Sequence, residues 1–141
     1  MIKNKLIIIF ILAFTLSESV LAEINYFDQG KKLYEKKSFK ESKFNFEKDI
    51  VFNPKNEKSY LYLAKIFKNQ KKQNLEENNL NTVILLNPKN EEAIYLLSLL
   101  NIEKSNFSKA KELINTMKSV CSKFCHVTKK LEDKLNNSLK Q

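Results

Sequence analysis

Arginine and tryptophan are absent from this chain of 141 residues; glycine and histidine occur once each, proline and cysteine twice. Each shortage removes a class of activity. A lone glycine, Gly30, cannot build a phosphate-cradling loop, which needs several backbone positions free of side chains. One histidine, His126, leaves no credible Ser-His-Asp set, and the acids are dispersed beside lysines, as solvated helix pairs are. Without arginine no planar fork reads phosphates or base edges, and the lysines are scattered, so nucleic acid is not an expected partner. No catalytic residue, cofactor or metal is expected. Nor is there a long apolar run: Leu6 to Leu16 is about half of the roughly 20 residues that span a bilayer.

That run has a different setting. Lys3 and Lys5 precede it, small and polar residues from Ser17 follow, and Val20-Leu21-Ala22 ends in a small-residue cleavage pattern. This is the layout of a secretory signal peptide over residues 1–22, with an uncleaved anchor as the alternative. The expected product is exported, most simply to a periplasm, begins near Glu23 and keeps no stable membrane span. The residue directly after the cleavage point is Glu23, not a cysteine that could accept a lipid. The chain carries a formal charge of +9, and removing two lysines and one glutamate with the leader leaves +8. Two readings of the basic charge stand side by side. An AT-rich genome favours the lysine, asparagine and isoleucine used here, and a basic surface attracts anionic partners.

The pentapeptide NPKNE occurs at Asn53–Glu57 and again at Asn87–Glu91, 34 residues later. Setting frames of that length at 23–56, 57–90 and 91–124 aligns residue classes at several equivalent positions. The eighth position holds Gly30, Ala64 and Ser98; the fourth Tyr26, Tyr60 and Ile94; the twenty-fourth Phe46, Leu80 and Ile114. Tyr60, Leu63, Ala64 and Phe67 follow the spacing of one buried helical stripe. Periodicity restarts at Phe39 and Phe107 after a short polar break, so each frame is expected to be a helix, a tight turn and an antiparallel helix. Proline closes the second helix, the following asparagine caps the next, and glutamate sits in its first turn.

The segment YEKKSFKESKFNF from Tyr34 to Phe46, ending at Asn53-Pro54, resembles the tetratricopeptide repeat family, in an exported bacterial form. The resemblance covers about 102 of the 119 residues beyond the leader. It implies an all-α, right-handed solenoid of three helix-turn-helix repeats. Four departures stand out. Glu76 and Gln73 replace the small residue and the aromatic of the second repeat, a pair expected to pack loosely. Asp49 stands where a small residue is usual, Asn101 where a large apolar one is, and Ser122 replaces the third proline. After the repeats, Val127, Leu131, Leu135 and Leu139 define a further helix from about Cys125 to Lys140. Residues 125–141 are therefore expected to cap the open end of the array.

Cys121 and Cys125 enclose three residues and precede His126. In an oxidising compartment the simplest reading is a disulfide, whose loop of about five residues contributes roughly 2 kcal/mol before strain. The sharper alternative is a redox or haem-carrying protein using Cys-x3-Cys-His, one residue longer than the usual haem attachment spacing.

The resemblance also implies that partners lie along the wall formed by the first helix of each repeat. Its positions here are Ile24, Phe27, Lys31, Tyr34 and Glu35; Lys58, Leu61, Lys65, Lys68 and Asn69; Glu92, Tyr95, Leu99, Ile102 and Glu103. Of these, Phe27, Lys31, Tyr34, Leu61, Lys65, Lys68, Tyr95 and Leu99 are the candidate partner-binding residues. The three lysines form an expected positive centre for an acidic and apolar peptide. The alternative is that Leu99 and Ile102 pack beneath the cap while the lysines only keep the surface solvated. The third repeat lacks the cations that this family's chaperone-tail clamp requires. The leading expectation is a non-catalytic protein-interaction or scaffold module of the cell envelope; a subunit of a larger assembly is a further reading.

Overall fold

The computed structural model describes residues 25–140, and these form seven helices and no strand. They are α1 (Tyr26–Glu35), α2 (Phe39–Phe52), α3 (Glu57–Asn69), α4 (Gln73–Leu86), α5 (Glu91–Glu103), α6 (Phe107–Val120) and α7 (Cys125–Ser138). The expected leader, 1–22, and Ile24 lie outside the described residues. Helices α1, α3 and α5 each pack most closely on the helix that follows, giving three hairpins over residues 26–52, 57–86 and 91–120. Successive hairpins then stack through α2 on α3 and α4 on α5, and α7 lies against both α6 and α5.

The turn inside each hairpin is the same object repeated at the period. Lys37, Lys71 and Ser105 have φ of 61°, 57° and 58°, the left-handed residue of a helix stop. The amide of the residue after each reaches back to Leu33, Phe67 and Asn101, all at 2.8–2.9 Å. None of the three positions is glycine, so each turn carries a side chain where glycine costs least.

Close approach of paired helices depends on matched sizes. At Gly30 a Cβ would come within 2.8 Å of the Phe46 ring, so a ring, where the other second helices carry Leu80 and Ile114, faces the smallest residue of the first helices. Ser42 strengthens the same crossing by donating to the Gly30 carbonyl at 2.8 Å. Apolar clusters then link each hairpin to the next. Phe46 joins Leu63, Ile66 and Phe67; Leu61, Leu80 and Val83 join Ile94, Leu97 and Met117; Ile102 and Ile114 join Leu131 and Leu135 of α7.

The second hairpin corrects one expectation. Glu76 is only 4% exposed between α3 and α4, yet these two helices approach along their length as closely as the other pairs do. The carboxyl is taken into the crossing, not around it, and burial raises its pKa, partly offset by Lys68 and reinforced by Glu103.

The joints between hairpins differ more than their sequences do. At the first, the buried Asp49 carboxylate accepts from Asn53 Nδ2 at 3.0 Å, from Asn56 Nδ2 at 2.7 Å and from the Ser59 hydroxyl. The amide of Asn56 is spent on this lock, and its side chain makes no helix cap, contrary to the sequence expectation. At the second joint the matching pair is Val83 and Ala93, both buried, and Asn90 is free to cap α5 through the Ala93 amide at 3.0 Å. At the third, one period on, Cys121-Ser-Lys-Phe-Cys125 stands in register with Asn87-Pro-Lys-Asn-Glu91. α7 thus takes the place of a fourth repeat's first helix.

Candidate functional site

The first helices line up because ring and ion contacts run from each to the next. Tyr62 of α3 sits 5.9 Å from Phe27 and 5.0 Å from Tyr34, both edge-on, and stacks on Phe46 at 4.9 Å. Beside it, Lys65 places its ammonium 5.0 Å from the Tyr62 ring and pairs with Glu92 of α5 at 2.7 Å. Burial raises the pKa of the Tyr34 and Tyr62 hydroxyls, and the negative charges of Glu92 for both and Glu35 for Tyr62 raise it further. Both phenols therefore stay protonated in neutral solution and remain available as hydrogen-bond donors.

Toward the other end the wall hollows. Tyr95 and Leu99 of α5, with Leu131 at the base and Lys130, Asp133, Lys134, Asn137 and Ser138 of α7, line a cavity of about 520 Å³. Lys134 lies 3.8 Å from Glu103, an ion pair at the rim. The cavity exists because α7 leans on α5 as well as α6, so the capping helix extends the wall that it also closes.

The start of α7 is fixed from α5. Glu91 accepts from the Ser122 hydroxyl at 2.7 Å and from the amides of Lys123 and Phe124 at 2.9 and 2.7 Å. These bonds, the Ser122 hydroxyl foremost, hold its carboxyl well below the usual range, at about 2. Phe124, carried by the same loop, packs 6.0 Å from Tyr95 at the cavity margin. Cys121 and Cys125 are joined in a disulfide with Cα atoms 5.1 Å apart. Both sulfurs are thereby committed, and the redox or haem reading has no thiol to use in this state. His126 is exposed, its Nδ1 3.0 Å from the Lys123 carbonyl. Among the described residues no three His, Cys, Asp or Glu side chains gather as a metal cluster would.

Seven of the eight candidate residues keep exposed surface, and four of them fall into two groups. Phe27 and Tyr34 belong to the aromatic end and are half-buried against Tyr62; Tyr95 and Leu99 belong to the cavity. Lys31 is exposed, while Lys68 is half-buried and faces Glu76. Leu61 is the correction: it is 7% exposed and belongs to the core with Leu80 and Leu97, so it offers no open surface. Ile102 likewise packs under α7, while Leu99 remains open to the cavity. The expected positive centre is altered too, since Glu92 neutralises Lys65. Tyr62, one residue past Leu61, is the wall residue that position counting misses. Its sequence signal is the row of aromatics that Phe27, Tyr34 and Tyr62 form once adjacent helices are laid side by side.

No family model matches this chain, and no curated protein matches it. Solved structures do. A tetratricopeptide repeat protein from Parabacteroides merdae superposes with a TM-score of 0.77 at 18% identity, covering 92% of this chain and 51% of that one. The first repeat domain of Spaghetti (RPAP3), bound to the HSP90 peptide SRMEEVD, gives 0.72 at 17% identity over 82% and 94%. The Yersinia enterocolitica secretion chaperone SycD, bound to a peptide of the translocator YopD, gives 0.71 at 9% identity over 82% and 90%. The fold is that of the tetratricopeptide repeat proteins.

Proposed function

We propose that this chain is a non-catalytic interaction module that holds an extended peptide segment of a partner protein along the wall of α1, α3, α5 and α7. The observation that carries the reading is the cavity between α5 and α7. It is open, and apolar at its base through Leu99 and Leu131, as an anchor pocket for one apolar side chain requires, with Lys130, Asp133 and Lys134 at its rim. From it the wall continues to the phenols of Tyr34 and Tyr62, which suit the backbone carbonyls of an extended chain. Two structures of the same fold hold peptides, from HSP90 and from the translocator YopD. Acidic groups on the partner would meet Lys31 and Lys130, since Lys65 is already paired with Glu92. We place the protein in the bacterial cell envelope, a reading supported by the leader-like residues 1–22 and by a disulfide of the kind that persists in oxidising compartments.

A photo-crosslinking residue at Lys31 or at Lys130 should capture the same envelope protein, and one at Lys111 on α6 should not. Leu99→Ala with Lys130→Glu should then weaken that complex about tenfold or more, as losing an anchor contact does. An unchanged affinity would remove the wall from consideration.

A further inference from the structure

We propose that the opposite side of the first two repeats, carried by α2 and α4, seats on an anionic lipid bilayer surface. This inference is independent of the peptide wall. Five of the six large apolar side chains left exposed among the described residues are here: Phe44, Val51 and Phe52 on α2, Leu75 and Leu85 on α4. Val51 is 74% exposed and Leu85 81%. They occupy the same position in successive repeats, so they project in the same direction from neighbouring helices.

A cation sits in the middle of this apolar surface. Lys48 Nζ lies 4.5 Å from the Phe44 ring centroid and 5.2 Å from that of Tyr26, and Tyr26 stacks on Phe52 at 5.5 Å. Anything that covers the patch strips water from that ammonium and must supply an anion in exchange. Around the rim the exposed charges are again lysines. Lys55 and Lys89 stand at one end of the two helices, Lys71 and Lys72 at the other. The acids on the two helices are few: Glu47 and Glu77 are already bonded to Lys43 and Lys104, and Asp49 and Glu76 are buried, which leaves Glu41.

This distribution selects the occupant. A second copy of the chain would set lysine against lysine. A protein knob would need a recess within the patch; the hollows lie at its ends, beside Phe52 and Lys55 and beside Lys72 and Leu75, whereas Val51 and Leu85 stand proud of their helices. A bilayer surface meets both conditions, because apolar side chains enter the headgroup boundary while lysines reach lipid phosphates. The contact is interfacial: no helix among the described residues is long and apolar enough to cross a membrane.

Flotation of the full chain with vesicles of phosphatidylcholine and phosphatidylglycerol in equal parts, against phosphatidylcholine alone, tests the proposal. Binding should favour the anionic vesicles by about tenfold or more, and Lys48→Glu should abolish most of that preference. Val51→Ser with Leu85→Ser should weaken anionic binding about tenfold, with an unchanged circular dichroism spectrum because both side chains are largely in solvent. Lys130→Glu on the other wall should leave binding intact. Equal binding to both vesicles would overturn the proposal, as would binding indifferent to the serine pair, which would assign the anchoring to the apolar run of residues 6–16 or to diffuse charge. An absence of binding together with loss of a protein complex in the serine pair would overturn it in favour of a protein interface.

Discussion

At position 76 the chain buries a carboxylate where the matching residues of its other hairpins are Ser42 and Ala110. Burial raises the pKa of Glu76 above its ordinary value of 4.5, and Lys68 lowers it by less. The sign follows. The folded state holds this proton more tightly than the unfolded one, so stability falls as pH rises from 4.5 through the folded pKa, and the penalty is complete once the buried carboxyl is ionised. Glu76→Ala should therefore raise the unfolding free energy at pH 7 by about 1 kcal/mol, Lys68 already offsetting part of the cost. That advantage should shrink toward zero below pH 4.5, as urea unfolding at both pH values would report. Asn101 is a second such departure. It is 1% exposed, donates to the Leu97 carbonyl, and leaves Oδ1 without a partner. Both departures are legible by comparing residues one period apart, since each is a polar group in an apolar row. Neighbours across helices are not legible that way. Lys65 reads as a free cation until Glu92, 27 residues on, is brought to 2.7 Å from it. Leu61 and Tyr62 exchange surface for core through a rotation of one residue, which counting along a frame does not resolve.

Among elements, the joints show what a repeat preserves and what it lets change. The helices and the left-handed turns recur at the period, and their pattern is visible in the sequence because packing forces the same size at the same place. The joints face solvent on one side and tolerate different solutions: an aspartate lock, an apolar contact with an asparagine cap, and a disulfide loop. The third shares only Lys123 with the pentapeptide at the other two, so residue identity hides its register. Its docking depends on Glu91, which replaces the missing side-chain cap of α7 with a carboxylate from α5. The Glu91 pKa is depressed to about 2 from 4.5. Its contribution is therefore complete above pH 4.5 and is lost as pH falls through about 2. Glu91→Gln should lower the melting temperature at pH 7, and the gap from the wild type should close between pH 4.5 and 2. In hydrogen exchange of this variant at neutral pH the amides of Lys123 and Phe124, just before α7, should lose protection before any part of α7. A gap of constant size across that pH range would mean that the carboxylate charge does not hold the loop.

In the whole molecule α7 has two tasks. As a cover it completes the last cluster, where Leu131 and Leu135 lie over Ile102 and Ile114. As a wall element it supplies the rim of the cavity that Tyr95 and Leu99 begin. A solenoid of so few hairpins has little stability to spare, because each unit buries its apolar face only against its neighbours. The same geometry separates the two surfaces of the array, since first helices and second helices face opposite ways. A mixed wall on one side and an apolar, lysine-edged surface on the other can then be altered independently. Coupling should instead run along the array, through α7. A chain ending at Val120 should lose roughly 3–5 kcal/mol, the burial of Leu131 and Leu135 together with the apolar surface they cover. Urea unfolding should show the first hairpin, with its Asp49 lock to α3, outlasting the third. If the shortened chain unfolded at the same midpoint as the full one, α7 would be a wall element alone, and the array would be stable without a cover.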